Sequence, residues 1–160
     1  MVVDPLLQDL EHLARAGDWD EALACVVGRL AADSGTLHLI GSDGALHLAA
    51  ASASIPAFVL DTVRIVPVGK GMAGLAVARR QAVDACNIQT DASGDVRPGA
   101  RATGLQGSIV VPLMRSGEAV GALGVANRSE RTFTGEEQQL LLAIGRALAG
   151  GVSLAGPSKP

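Results

Sequence analysis

With 160 residues, 48% of them hydrophobic and 18% charged, the chain is long enough for one domain with a full core and too short for two. That composition excludes a disordered polypeptide, and a net charge of −3 gives no general attraction to nucleic acid or anionic membranes. Aromatic side chains are confined to Trp19, Phe58 and Phe133, too few to stack single-stranded bases, so the core must be built from Leu, Val, Ile and Ala.

No apolar run approaches the roughly 18 residues of a membrane span. Asp4, Asp9 and Glu11 stand where a signal peptide carries positive charge and then an apolar segment. A cytoplasmic location is expected, with Cys25 and Cys86 reduced and no C-x-x-C spacing for zinc or redox chemistry.

In chain order, Pro5 to Ala16 reads as a helix with Leu6, Leu7, Leu10 and Leu13 on one face and Gly17 as its stop. Asp18 can cap a second helix, with Glu21 three residues on. Its stripe is Trp19, Ala22, Leu23, Val26, Val27 and Leu30, and Cys25 beside it reads as a small buried helix residue. Thr36 to Ile40 and Leu46 to Ala50 read as strands around the turn Gly41-Ser42-Asp43-Gly44. His38 and His47 fall in these strands as half-exposed residues, with no third ligand at metal spacing. A short helical segment, Ala57 to Thr62, leads to the central stretch.

That stretch is RIVPVGKGMAGLAVARRQAVDACN, Arg64 to Asn87. A β-branched run of Val63, Ile65 and Val66 meets Pro67. Gly69, Gly71 and Gly74 follow, then a helical pattern at Leu75 to Ala78 and a strand-like run from Ala82 to Ile88. Gly69-x-Gly71-x-x-Gly74 matches a dinucleotide-binding fingerprint. That fold needs repeated strand–helix–strand units with the fingerprint near the start, whereas here one such unit sits between two antiparallel hairpins. A P-loop is excluded because Lys70 is followed by Gly71, not by Ser or Thr. The glycines therefore read as a turn, with Gly74 letting the helix pack closely.

Gln89 to Gly107 is a long polar connection carrying Asp91, Asp95, Arg97 and Arg101, the kind of segment that tends to bind ligands. From Arg64 to Arg101 six basic residues face three acidic ones, leaving +3 on that stretch and −6 on the rest. Ser108 to Arg115 and Glu118 to Asn127 then flank the turn dipeptide Ser116-Gly117. Ile109, Val111 and Leu113 alternate with Val110, Pro112 and Met114, so this sheet is covered on both sides. Pro112 argues for a bulge or a strand segment lacking a ladder bond, and Gly121 and Gly124 for close approach of another backbone or a ligand. Thr134-x-x-Glu137 is a capping box opening a helix with Leu140, Leu141, Ile144 and Leu148 apolar. Residues 1–17 are thus an N-terminal helix, 18–149 the domain, and 150–160 a flexible tail.

The order of these elements, with P-V-G-K-G-M-A-G, N-I-Q-T-D, S-I-V-V-P-L and G-A-L-G-V, resembles the GAF domain from about Trp19 to Leu148. The resemblance implies an α+β, PAS-like fold: a central antiparallel sheet of five or six strands, with N- and C-terminal helices on one face. A helix and the long loop would lie over the other face, above a ligand pocket. Members bind cyclic nucleotides, haem, bilins or small acids. The asparagine–lysine…phenylalanine–aspartate–glutamate signature of cyclic-nucleotide members, expected around Asp91, is not reproduced. Cys86 is only loosely placed for bilin attachment, and the aromatics that surround a bilin are missing. Free methionine-R-sulfoxide reductases share the standalone size, and their G-K-G-V-C-G motif aligns with Gly69 to Gly74. The cysteine position is Ala73, and the loop cysteine ahead of the S-x-I-V-x-P strand is also absent. Such a reductase needs an attacking thiolate and a resolving thiol. Cys86, read as half-buried on its strand, has no partner in Cys25.

The expectation is therefore a non-enzymatic ligand-binding sensor domain acting in signalling, with the ligand between the sheet and the 89–107 loop. Ser108, Val110 and Met72 would line the pocket, Arg97 or Arg101 would pair an anionic group, and Asp91 would accept a hydrogen bond. No metal or nucleotide cofactor is expected, and neither nucleic acid nor membrane is a partner. A homodimer through the terminal helices is expected. The alternatives are the reductase and a dimeric interaction module with a vestigial pocket.

Overall fold

A computed structural model of the chain describes residues 4–96 and 103–152. Two helices open it, α1 (Pro5–Arg15) and α2 (Trp19–Arg29). Asp4 accepts from the Leu6 N–H and Asp18 from the Glu21 N–H, so each helix starts on a carboxylate cap. Gly17, at φ +74°, ends α1 in the left-handed conformation.

The strands β1 (Ser34–Ile40), β2 (Leu46–Ala51), β3 (Ile65–Val66), β4 (Val83–Ala85), β5 (Ser108–Arg115) and β6 (Glu118–Ala126) form one sheet in the order β3-β2-β1-β6-β5-β4. Every pairing is antiparallel. Helix α3 (Ala57–Val63) joins β2 to β3, α4 (Gly71–Arg79) joins β3 to β4, and α5 (Gly135–Ala149) follows β6. The β5–β6 turn has positive φ at both Ser116 and Gly117, the conformation that matches the twist of a two-residue hairpin.

The sheet is buried on both faces, as its apolar alternation requires. One face packs Ile109, Val111, Leu113, Leu37, Leu123 and Val125 against α1, α2 and α5 through Leu10, Leu23, Val26, Leu141, Ile144 and Leu148. Each fully buried Leu or Ile contributes about 1.5–3 kcal/mol. The opposite face packs Val110, Ala122, Leu46, Val66 and Val83 against Ala76 and Val77 of α4. Thr134 accepts from the Glu137 N–H while the Glu137 carboxylate accepts from the Thr134 N–H, closing the capping box of α5.

Three local expectations are corrected. The strand expected over Ala82–Ile88 is only Val83–Ala85, because the chain turns away at the short end of the β4–β5 ladder. Cys86, one residue past that strand, is exposed and not half-buried. The register shift in β5 falls between Leu113 and Met114, so of the two readings of Pro112 the missing ladder bond is the one that holds. Pro112 is tolerated because β4 pairs only as far as Val110, leaving that side of β5 without a partner strand. Helix α4 begins at Gly71, four residues before its apolar pattern becomes visible.

Candidate functional site

The local logic of the site starts with three glycines. Gly69 and Gly71 have φ of +91° and +65°, which turns the chain sharply from β3 into α4. A Cβ at Gly74 would collide with the Pro67 carbonyl oxygen and lie 3.0 Å from the Gly69 nitrogen. The Gly69 N–H donates to the Gly74 carbonyl at 2.9 Å. Helix α4 is thereby pulled tightly against its own lead-in, with its N-terminus over the sheet.

Between the sheet, α3 and this N-terminus lies a cavity of about 250 Å³. Its floor includes Thr36 and His38 of β1 and Ser108 and Val110 of β5. Its walls are Val59, Thr62 and Val63 of α3, with Lys70, Gly71, Met72 and Ala73 at the start of α4. A second chamber of about 130 Å³ adjoins it and shares Thr36, Val59, Val63, Ile88, Ser108 and Val110. It runs on toward Ser34, Gly124 and Ala126, with Thr103 and Leu105 contributed by the long connection.

Of the residues expected to bind ligand, Ser108, Val110 and Met72 line the main cavity. Asp91 is not among the lining residues of either chamber. Its carboxylate accepts from the Ser93 N–H and hydroxyl in a local turn. Arg97 and Arg101 lie outside the described residues. The roof is chiefly α3 and the start of α4, and the connection supplies Ile88 and the inner residues Thr103 and Leu105. Arg79 of α4 holds that connection with two bonds to the Asp95 carboxylate, at 3.0 and 3.2 Å. Val96 is buried beside Ala85 and Ile88.

Sequence reasoning missed the most polar part of the floor. His38 is buried, at 3% exposure, and not half-exposed. It lines the main cavity, and its Nε2 lies 2.8 Å from the Val63 carbonyl oxygen. A carbonyl only accepts, so Nε2 carries the proton and the neutral ring leaves Nδ1 as an acceptor. Burial pushes its pKa down, the Val63 bond opposes this, and His47 adds a further push downward. The signal was present as Ser34-x-Thr36-x-His38, three polar residues at strand period on a strand whose other face carries Leu37.

Electrostatically the chamber favours an anion at one end. The first turn of α4 has no side-chain cap and no acidic residue, so its N–H groups and positive dipole end are unopposed. Lys70 stands at the same edge, and among the described residues neither chamber has an Asp, Glu or Cys in its lining. Cys25 lies on α2 against the opposite face of the sheet, and burial followed by the nearby Glu21 carboxylate pushes its thiol pKa up. Among the described residues no group of three or more His, Cys, Asp or Glu is placed to hold a metal ion, and no helix is long and apolar enough to cross a membrane.

Comparison with known proteins follows the same architecture. Nothing among the curated proteins matches the chain significantly. The GAF domain of an Acinetobacter phosphoenolpyruvate-protein phosphotransferase is similar over 92% of this chain and 90% of its own, at 19% identity and TM-score 0.74. Free methionine-R-sulfoxide reductase from Neisseria meningitidis, solved with its substrate, is similar over 93% and 90%, at 19% identity and TM-score 0.70. The type II free methionine-R-sulfoxide reductase of Thermoplasma acidophilum is similar over 88% and 92%, at 20% identity and TM-score 0.66. At these identities the likeness establishes the fold. The GAF domain family model matches residues 20–152, and the chain belongs to the GAF family.

Proposed function

We propose that this GAF domain is a non-enzymatic sensor module that binds a small molecule, with an anionic group, in the cavity beneath α3 and α4, and acts in signalling. The observation that carries the reading is the lining itself. It combines buried His38, the hydroxyls of Thr36 and Ser108, and the uncapped α4 N-terminus beside Lys70. Among the described residues it includes neither a thiol nor a carboxylate. An apolar chamber with a few convergent polar groups, and with no thiol among its described lining residues, supports binding over sulfoxide reduction. The protein is cytoplasmic and dimeric in this reading, paired through its terminal helices.

Native mass spectrometry of the freshly purified protein tests it. A co-purifying small molecule, lost on denaturation and reduced in a Lys70→Ala variant, is the expected result. A clean apo mass, together with no response to small carboxylates or phosphates in thermal shift, overturns it. The reductase reading has one favourable observation, the likeness to reductases of known structure. Ala73 at the motif's cysteine position, and Cys86 away from the cavity lining, weigh against it.

A further inference from the structure

Ser34 sits at the start of β1 with 2% of its surface exposed, and its hydroxyl has no hydrogen-bond partner among the described residues. It lines the inner chamber. Buried hydroxyls are nearly always satisfied, and one left without a partner destabilises the free protein. Around it the floor is kept low. Ser34, Thr36 and His38 pair across the ladder with Ala126, Gly124 and Ala122, so β6 contributes no bulk beside the polar stripe of β1. The chamber's other walls are mostly aliphatic, with Ile55, Val59, Val63 and Leu105, and carry the hydroxyls of Thr36, Thr103 and Ser108. From His38, near the α4 N-terminus, to Ser34 the strand runs roughly 13 Å.

We propose that the inner chamber is a specificity subsite, with Ser34 as its recognition group. The ligand is an elongated aliphatic anion whose far end carries a hydroxyl or amide. The proposal rests on the binding reading above and sharpens it. The anionic group docks at Lys70 and the first turn of α4. The chain lies over Thr36 and Val110, and its neutral polar end satisfies the Ser34 hydroxyl. Ser34 is thus a group whose cost in the free protein is recovered only when the ligand is complete.

The test titrates the full-length, 15N-labelled protein with 8-hydroxyoctanoate and octanoate, probes that differ only in the terminal hydroxyl, following backbone amides by NMR. The hydroxy acid is expected to shift both Gly71–Met72 and Ser34–Gly35, and to bind about tenfold more tightly than octanoate. Ser34→Ala is expected to abolish that preference while raising the melting temperature of the unliganded protein by about 2–4 °C. A merely structural serine would instead lose stability on the same change. If both acids shift Gly71–Met72 equally and leave Ser34–Gly35 unmoved, or if a bound water already satisfies Ser34 so that the terminal hydroxyl gives no preference, the subsite is overturned and the cavity reading stands. If neither acid shifts any amide of the cavity, both fall.

Discussion

The imidazole of His38, on the central strand, donates from Nε2 to the carbonyl oxygen of Val63 at 2.8 Å, tying the floor of the cavity to the last residue of the roof helix α3. That helix buries only Val59 and exposes Phe58 at 62%, so the bond is a principal tether. His38→Ala leaves the Val63 carbonyl without its partner and a void under α3. The expected loss is about 2–4 kcal/mol of stability, with faster hydrogen exchange over residues 59–63. Unchanged protection of α3 would show that the tether is dispensable.

The same residue gives stability a pH dependence with a definite sign. Burial holds the His38 pKa below its ordinary value, so the folded state binds fewer protons than the unfolded one. Its contribution is complete above about pH 6.5 and is lost as the pH falls from there through the lower folded value. Asp43, whose pKa is lowered mainly by its bond to His47, and Glu137, lowered mainly by the Thr134 N–H and then Arg131, lose their contributions only as carboxylates protonate, below about pH 4. Urea melts between pH 8 and 5 are expected to show a decline that His38→Gln removes. A slope unaffected by that variant would assign it to other groups.

Gly74→Ala drives a methyl group toward the Pro67 carbonyl. Backbone cannot yield there without lifting α4 from the sheet, and a loss of about 2–3 kcal/mol is expected. Gly28→Ala, where a Cβ meets nothing within 4 Å in an exposed part of α2, should stabilise slightly by helix propensity. Paired chemical denaturation of the two variants checks the contrast, and equal effects would refute the packing argument.

Turnover of free methionine sulfoxide with a dithiol reductant is expected to be absent, and Cys86→Ser to leave ligand affinity unchanged, since Cys86 is exposed and does not line the cavity. A thiol-dependent rate abolished by Cys86→Ser would reverse the non-enzymatic reading.

Sedimentation at tens of micromolar is expected to give a dimer mass. Helix α1 packs on α2 and α5 yet leaves Leu6, Leu7 and Leu13 partly exposed. Leu7→Glu should shift the mass toward monomer without unfolding the chain. A monomeric wild-type protein would remove the terminal helices as an interface.

The architecture was readable because each device that sets it is local. Asp18, Thr134 with Glu137, Gly17 and Ser116-Gly117 declare their caps and turns within four residues, and the alternation of β5 announces a sheet covered on both sides. The cavity lining was readable only where strand period marks a face, at Ser108 and Val110, and where Met72 follows the glycine turn. His38 looked like an ordinary strand residue, because its burial depends on Val63, which sits 25 residues away. For Asp91, nothing local distinguishes a carboxylate that faces a cavity from one that also bonds Ser93. A long-range pairing and a side-chain direction are both properties of the assembled fold.

Gly124 gives the cavity a property of its own. A side chain there would sit 3.2 Å from a Val110 methyl and 3.4 Å from the Thr36 hydroxyl, rising from the floor without obstructing the backbone ladder. A methyl at this position would therefore narrow the inner chamber, with Val110 giving way by a few tenths of an ångström.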